Sequence, residues 1–334
     1  VNSPAVSILL TVRNEEEFLP AALASLQRQT FTDWELVAVD DGSTDRTPQL
    51  LAAAALDPRV RLLTLPPQGL VSALNSGLAA CRAPLVARMD GDDVCHPQRL
   101  ARQWRYLQNH PECLLVASRV RHFPRPRLAG GMRDYERWQN SLLDDAAIRR
   151  DLYVESPFAH PSVMFRTGQV LAAGGYRDLG WAEDYDLWLR LARRPGTFAR
   201  LPEPLLFWRD RDRRLTRTSP ACSPAAFRAC KIHHLRQTFL AGATQVTLWG
   251  AGTEGKAWRK SLAEAGIAVS GWVEVDRRKI GQVIHKAPVV AVDALQAGGA
   301  RILVTIGARG AREQVREWSR QRGLVEGRDF LCVT

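Results

Sequence analysis

The first hundred residues alternate between short apolar runs and amphipathic stretches. Val6-Ser7-Ile8-Leu9-Leu10-Thr11-Val12 is almost continuously apolar and breaks at Arg13-Asn14-Glu15. A run of that length with polar boundaries predicts a strand of a parallel sheet, buried on both faces. Phe18, Leu19, Ala22, Leu23 and Leu26 then recur at helical spacing. They predict a helix over 15–29, with Glu15, Glu16 and Glu17 at the positive end of its dipole. Trp34-Glu35-Leu36-Val37-Ala38-Val39 predicts a second strand, ending at Asp40-Asp41-Gly42-Ser43-Thr44-Asp45. Pro48 suits the first turn of the helix that follows. A third strand is expected over 60–65 and a helix over 69–82, with Leu70, Ala73, Leu74, Gly77 and Leu78 on one face. The fourth strand is Leu85-Val86-Ala87-Arg88-Met89. Strand and helix alternating through short loops define an α/β class with a parallel sheet.

The fourth run turns acidic at once, into Asp90-Gly91-Asp92-Asp93. Three neighbouring carboxylates repel one another unless a cation or solvent holds them. Asp-x-Asp spacing puts two of them within reach of one hard divalent ion. A solvated acidic turn is the competing reading, since Asp and Gly are ordinary turn residues. Thr11, Arg13, Asp41 and Asp90 all fall at or just past strand ends, so they gather along one sheet edge, where such folds place ligands. A buried carboxylate such as Asp41 can accept from a base N–H, and Arg13 or Arg88 can meet phosphate. Four such residues together favour a ligand site over unrelated caps and ion pairs.

Further along, a helix is expected over 97–109, a strand over 113–120, a loop around Gly130 and Gly131, and a helix over 134–150. Glu183 and Asp184 open another helix, with Leu187, Trp188 and Leu191 on its apolar face. Arg213, Arg214, Thr216, Ser219, Pro220 and Pro224 read as a linker leading to a helix over 224–240. A new α/β pattern then begins. Val246-Thr247-Leu248-Trp249 runs into Gly250-Ala251-Gly252-Thr253-Glu254-Gly255, a helix, and a strand over 269–275 reaching Asp276. Strand, GxGxxG and helix come in the order of a dinucleotide-binding unit. The expected organisation is a domain over 1–215, a linker with helix over 216–243, and a Rossmann-like domain over 244–334. GxGxxG also serves simply to pack helix on strand. A nucleotide or nucleotide-sugar site at Gly250, Gly252, Gly255 and Asp276, an NAD site, and a structural or oligomerising module all remain open.

Four stretches, in order and spacing, resemble family 2 glycosyltransferases of the GT-A fold. They are Val6 through Glu15, Val39 through Asp45, Gly69 with Ala73-Leu74-Asn75-Ser76-Gly77, and Ala87 through Asp93. Phe158-Ala159-His160-Pro161 and Trp181-Ala182-Glu183-Asp184 extend the resemblance across the first two-thirds of the chain. It implies a metal-dependent, inverting transfer of a hexosyl or N-acetylhexosaminyl group from a nucleotide-diphosphate sugar, UDP-linked, to a hydroxyl of a saccharide or lipid-linked acceptor. The setting it implies is surface polysaccharide or lipopolysaccharide biosynthesis. Thr11, Arg13, Glu15, Asp41, Arg88, Asp90 and His160 are the implied donor-binding residues. Asp92 and Asp90 are implied to hold Mn²⁺ or Mg²⁺, with Asp184 as catalytic base and Glu183 beside the acceptor. For His160 the pyrophosphate, the metal and a purely structural role all stay open, and Asp93 is expected to shape the loop. One departure stands out: Arg211 occupies a place where many relatives carry His. Either Asp210 or Asp212 completes the metal site, or Arg211 contacts the diphosphate. The C-terminal third is similar to the nucleotide-sugar-binding domains of bacterial sugar acyltransferases, on Gly271-Trp272-Val273-Glu274-Val275-Asp276 and Ala287-Pro288-Val289.

Composition changes this picture little. The 334 residues carry a net charge of +11, almost all of the basic side chains being Arg. That suits anionic ligands, but no RRM, KH or zinc-finger pattern supports a nucleic-acid partner. The six Cys form no CxxC pair and no tight cluster, which argues against a disulfide framework or structural zinc site and fits a reducing cytoplasm. No apolar stretch approaches the ~20 residues of a membrane helix, and Val1-Asn2-Ser3-Pro4 does not resemble a signal peptide. A cytoplasmic location is therefore expected, with peripheral contact to the inner membrane and homo-oligomerisation left open. The rival function class is a non-catalytic nucleotide-sugar-binding regulatory or scaffold protein. The intact Asp-x-Asp and Glu-Asp motifs argue against it.

Overall fold

The computed structural model describes residues 3–212 and 214–334; Val1, Asn2 and Arg213 lie outside them. The chain forms two compact units. One comprises Val1–Ile148 and Pro157–Thr218, the other Arg149–Ser156 and Ser219–Thr334.

In the first unit β1 (Val6–Val12), α1 (Leu19–Gln27), β2 (Trp34–Asp41), α2 (Thr47–Ala54), β3 (Val60–Leu65), α3 (Leu70–Ala80) and β4 (Leu85–Asp90) alternate as the sequence pattern predicts. They are followed by β5 (Val94–Cys95), α4 (Arg99–Asn109), β6 (Cys113–Phe123), α5 (Gly130–Ser141), α6 (Asp145–Asp151, whose residues from Arg149 onward count with the second unit), β7 (Val163–Arg166), α7 (Thr167–Ala172), α8 (Glu183–Leu191), β8 (Thr197–Arg209) and α9 (Leu215–Thr218). The eight strands form one sheet in the order β3-β2-β1-β4-β7-β6-β8-β5. The first four are mutually parallel; β7 runs antiparallel to both β4 and β6, and β5 antiparallel to β8. Every residue of β1 and β2 is buried, which is why both read as unbroken runs rather than alternating ones. Gly77 lets α3 approach the sheet closely, since a Cβ there would lie 2.3 Å from Leu9 Cδ1. Register levels the strand ends: Thr11 lies opposite Asp90 on one side, and Val12 opposite Asp40 on the other.

Three local expectations are corrected. First, α1 begins at Leu19, not at 15. Asn14 adopts φ 55, and the amides of Glu15 and Glu16 donate to Thr47 Oγ1 (2.8 Å) and Asp45 Oδ2 (3.1 Å). Side chains from the neighbouring loop thus hold this turn out of the helix, and Glu15 belongs to the sheet edge. Second, the helix expected over 134–150 is two helices, α5 starting at Gly130 and α6. Third, β8 was not visible in the sequence. Its Pro202 and Pro204 interrupt the strand pattern, and register shifts against β6 around Arg119 absorb them.

The second unit contains α10 (Pro224–Leu235), β9 (Gln245–Trp249), α11 (Thr253–Glu264), β10 (Ala268–Glu274), β11 (Val283–Ile284), β12 (Ala287–Ala291), β13 (Ile302–Val304), α12 (Ala311–Gln321) and β14 (Phe330–Cys332). Its sheet order is β11-β12-β10-β9-β13-β14, parallel apart from β11. The helix expected after the linker is α10, shorter than expected at Pro224–Leu235, and its Ile232 and Leu235 share a core with Leu248, Trp258 and Trp272. Residues 149–156 belong to this unit too. Lys231 Nζ donates to Val154 O (2.7 Å) and Val333 O (3.1 Å), and Arg316 pairs with Asp151 (2.6 Å) and Glu326 (2.8 Å).

The Asp151 and Arg316 side chains are 3% and 11% exposed, so truncating one strands a desolvated charge on the other. Because Arg316 keeps Glu326, Asp151→Ala is expected to cost about 2 kcal/mol rather than the larger penalty of a fully orphaned charge. Urea unfolding followed by tryptophan fluorescence checks this.

Candidate active site

The site begins beneath the sheet edge, with Arg88. It is 1% exposed, on a strand covered on both faces. Its Nη2 donates to Asp90 Oδ1 (2.6 Å) and Thr11 Oγ1 (3.1 Å), and Nη1 reaches Leu9 O (3.4 Å). Arg88 is one of two residues, with Arg13, that the sequence offers to phosphate. Burial instead makes it the counter-charge under Asp90, with Thr11 drawn into the same set of hydrogen bonds. Removing Asp90 would leave Arg88 with an unpaired buried charge, a cost of about 3 kcal/mol. Asp90 variants therefore confound stability with binding, and Asp92 is the cleaner residue to test.

Beyond β4 the chain turns at Gly91, where a Cβ would lie 2.5 Å from Val12 Cγ1. This close approach brings Asp92 and Asp93 back over the edge. Asp93 is fully buried, and its Oδ1 accepts from the Arg209 amide (2.7 Å). Arg209 Nε in turn donates to Asp92 O (2.7 Å), which ties the acidic loop to the end of β8. Asp90, Asp92 and Asp93 each offer a ligand oxygen, all within 4.8 Å of one another. Burial raises the pKa of Asp92, with the Asp90 charge adding to it. Asp93 is raised well above the carboxylate range by burial and by both neighbours. Glu15 faces the same loop and is pushed up to about 7 by burial, against the opposing pull of Arg211. Two buried oxygens, Glu15 Oε2 and Asp93 Oδ2, have no hydrogen-bond partner. Crowded, desolvated oxygen donors of this kind fit a hard divalent cation.

At the other strand ends, Arg13 is exposed. Asp41 is buried and accepts from the Gln68 amide (2.8 Å) and the Gly69 amide (3.0 Å). Part of its capacity is thus spent on fixing the loop before α3, where Gly69 adopts φ 89. Asp210 and Asp212 do not join the acidic loop: Asp210 pairs with Arg217 (2.7 Å), and Asp212 lies 3.6 Å from the same guanidinium. Arg211 does reach it, pairing with Asp92 (2.8 Å) and with Glu15.

Glu183 and Asp184 open α8. Burial raises both; Glu183 further raises Asp184, and the Asp90 charge acts on the two of them. Of the roles left open for His160, the contacts fit the structural one: its ring faces Tyr176 Oη (2.9 Å from Nε2) and Glu183 (3.6 Å from Nδ1). Sequence reasoning missed what places it. Asn75 on α3 brackets Tyr176, donating to its carbonyl (2.9 Å) and accepting from its amide (2.9 Å). The signal was there in an Asn amid the apolar residues of α3 and in the Gly174-Gly175 pair, both at positive φ, before Tyr176.

In the second unit Gly255 is required for packing, since a Cβ would come 1.9 Å from Gly250 O. Gly250 adopts φ 114, Gly252 precedes α11, and Asp276 pairs with Arg278 (3.0 Å). Glu274, at the end of β10, accepts from the Ala251 amide (2.8 Å).

The glycosyl transferase family 2 model matches residues 7–170. The amylovoran biosynthesis glycosyltransferase AmsE of Erwinia amylovora is 35% identical over 204 residues, covering 60% of this chain and 74% of that protein. The chain belongs to glycosyltransferase family 2. The O-antigen biosynthesis glycosyltransferase WbnJ of Escherichia coli is 32% identical to this family 2 transferase, over 56% of its chain and 71% of WbnJ. Among solved structures, S. aureus TarS 1-349 in complex with UDP-GlcNAc superposes with a TM-score of 0.56 at 15% identity, covering 78% of this chain and 80% of that one. The mannosyltransferase PcManGT of Pyrobaculum calidifontis, in complex with GDP-Man and Mn²⁺, gives 0.52 at 21%, covering 71% and 63%. At these identities the likeness establishes the fold: the transferase has the GT-A architecture. Among the described residues no helix is long and apolar enough to cross a membrane.

Burial, reinforced by the Arg88 charge, holds the His160 pKa well below its ordinary 6.5. The unfolded chain therefore takes up a proton below pH 6.5 that native His160 refuses, and stability falls as pH drops through that value. Above it the linkage is silent. His160→Gln should flatten the melting temperature of the transferase between pH 6.5 and 5 relative to the unaltered chain, as read by differential scanning calorimetry.

Proposed function

We propose that this transferase moves a hexosyl or N-acetylhexosaminyl group from a UDP-sugar to an acceptor hydroxyl, with inversion and with a divalent cation, in surface polysaccharide or lipopolysaccharide assembly. One observation supports the reading above the others: Asp90, Asp92 and Asp93 bring one ligand oxygen each within 4.8 Å of one another at the end of β4, and the Asp90 charge also raises the acids at the start of α8. Asp92, with Asp90 and Asp93, would hold Mn²⁺ or Mg²⁺. A cation bound there supplies Lewis-acid stabilisation of the leaving diphosphate. Arg13 and the loop braced by Asp41 face the nucleoside side of the edge.

Asp184 takes the proton of the acceptor hydroxyl. Its carboxyl is shifted upward by burial and by Glu183, so it binds a proton more firmly than an exposed Asp would. Glu183, against His160, positions the acceptor. Attack by the hydroxyl oxygen on the anomeric carbon opposite the departing diphosphate is a single displacement and inverts the configuration. The polysaccharide setting is supported by AmsE and WbnJ, whose names place them in amylovoran and O-antigen biosynthesis. A cytoplasmic enzyme working at the inner membrane face on a lipid-linked acceptor is the matching arrangement.

Asp184→Asn should lower transfer from a UDP-sugar by at least a hundredfold while leaving UDP affinity intact; transfer at the original rate would remove Asp184 from the base role. Asp92→Ala should abolish the manganese dependence of UDP binding measured by calorimetry. UDP affinity in manganese that matches the unaltered chain would exclude Asp92 as a ligand.

A further inference from the structure

Arg211 holds two acids at once. Its Nη2 donates to Glu15 Oε1, and its Nε lies 2.8 Å from Asp92 Oδ2 as an ion pair without hydrogen-bond geometry, the weaker of the two holds. The guanidinium is 29% exposed and each acid 13%, so the bridge is partly desolvated but open to the site. The backbone around it is fixed independently. Two residues earlier the Arg209 amide is held by Asp93, and the Arg211 carbonyl accepts from Arg217 Nη1 (3.0 Å). Only the side chain is therefore free to change partners. Asp210 and Asp212, the other candidates for this position, are turned to Arg217.

From this geometry we propose that Arg211 is a displaceable counter-ion, a positioning residue that occupies Asp92 before the cation arrives and is handed to the donor when it does. The inference rests on reading Asp92 as a metal ligand. With no cation present, Glu15, Asp90, Asp92 and Asp93 crowd one loop. Arg88 neutralises only Asp90, and the Arg211 guanidinium neutralises Asp92. A divalent ion outcompetes a single delocalised charge for the same carboxylate, and two cations on one carboxylate repel. Glu15 then retains Nη2 as a tether, and the released Nε–H turns to a phosphate oxygen of the donor as a charge-assisted hydrogen bond. The same side chain opposes cation binding in the absence of donor and supports donor binding in its presence. Cation and donor affinity become thermodynamically coupled through one residue.

The test is a manganese titration of the full chain without nucleotide, read from the electron paramagnetic resonance signal of free Mn²⁺, followed by UDP titration at saturating Mn²⁺. Arg211→Ala and Arg211→Gln should bind Mn²⁺ about tenfold more tightly than the unaltered chain and, once loaded, bind UDP about tenfold more weakly. Arg211→Lys, whose single ammonium cannot bridge Glu15 and Asp92, should fall between them. Melting curves taken without ligands verify that each variant is folded. Unchanged or weaker Mn²⁺ binding in the Ala and Gln variants, with Asp92→Ala still losing the ion, overturns the counter-ion role and leaves the metal site standing. Tighter Mn²⁺ binding with unchanged UDP affinity overturns the handover. Mn²⁺ binding that Asp92→Ala does not alter removes the metal reading, and the inference with it.

Discussion

A guanidinium buried under a sheet edge is what allows the acids of this site to coexist. Arg88 is desolvated on a strand with both faces covered, and its charge is met by Asp90 at the last position of the same strand. Its field extends further: it lowers the pKa of Glu183 against burial, and it adds to the burial that keeps the His160 pKa low. Without it, nothing at the end of β4 would offset the repulsion that Asp90 exerts on the α8 acids. The sheet supplies the placement, since register puts Thr11 opposite Asp90. The buried cation makes that placement tolerable.

Much of this was legible along the chain. Strands β1, β2 and β4 announced themselves because an apolar run that stops at acids can only be a strand reaching an edge. Asp92 and the Glu183-Asp184 pair were likewise marked by abrupt changes of character. The direction of Arg88 was not readable. In a strand buried on both faces, alternation carries no inside or outside, so a basic residue at the edge looks the same whether it points at phosphate or beneath it. The partners of Asp41 were hidden for a different reason. They are backbone amides of Gln68 and Gly69, more than twenty residues away, set by the path of a loop and not by any side-chain pattern. Strand β8 escaped because its two prolines sit in bulges that only the pairing with β6 explains.

The family relationship and the physical reading meet at Arg211. Motif comparison marks it as a departure; the structure turns the departure into an arrangement, with a guanidinium between Glu15 and Asp92 and the neighbouring acids drawn to Arg217.

The second unit owns residues 149–156, although the rest of it begins at Ser219. The pair between Asp151 and Arg316 closes a separation of 165 residues. During synthesis the short segment therefore leaves the ribosome long before the sheet it joins. It must wait while Pro157–Thr218 emerge and return to the first unit. The two units cannot mature strictly one after the other, because the chain passes between them three times, at 148/149, 156/157 and 218/219. Long-range closure of this sort is slow, and it makes a nascent chain stopped near Thr218 a species with an unmated segment, the kind of intermediate that chaperones receive.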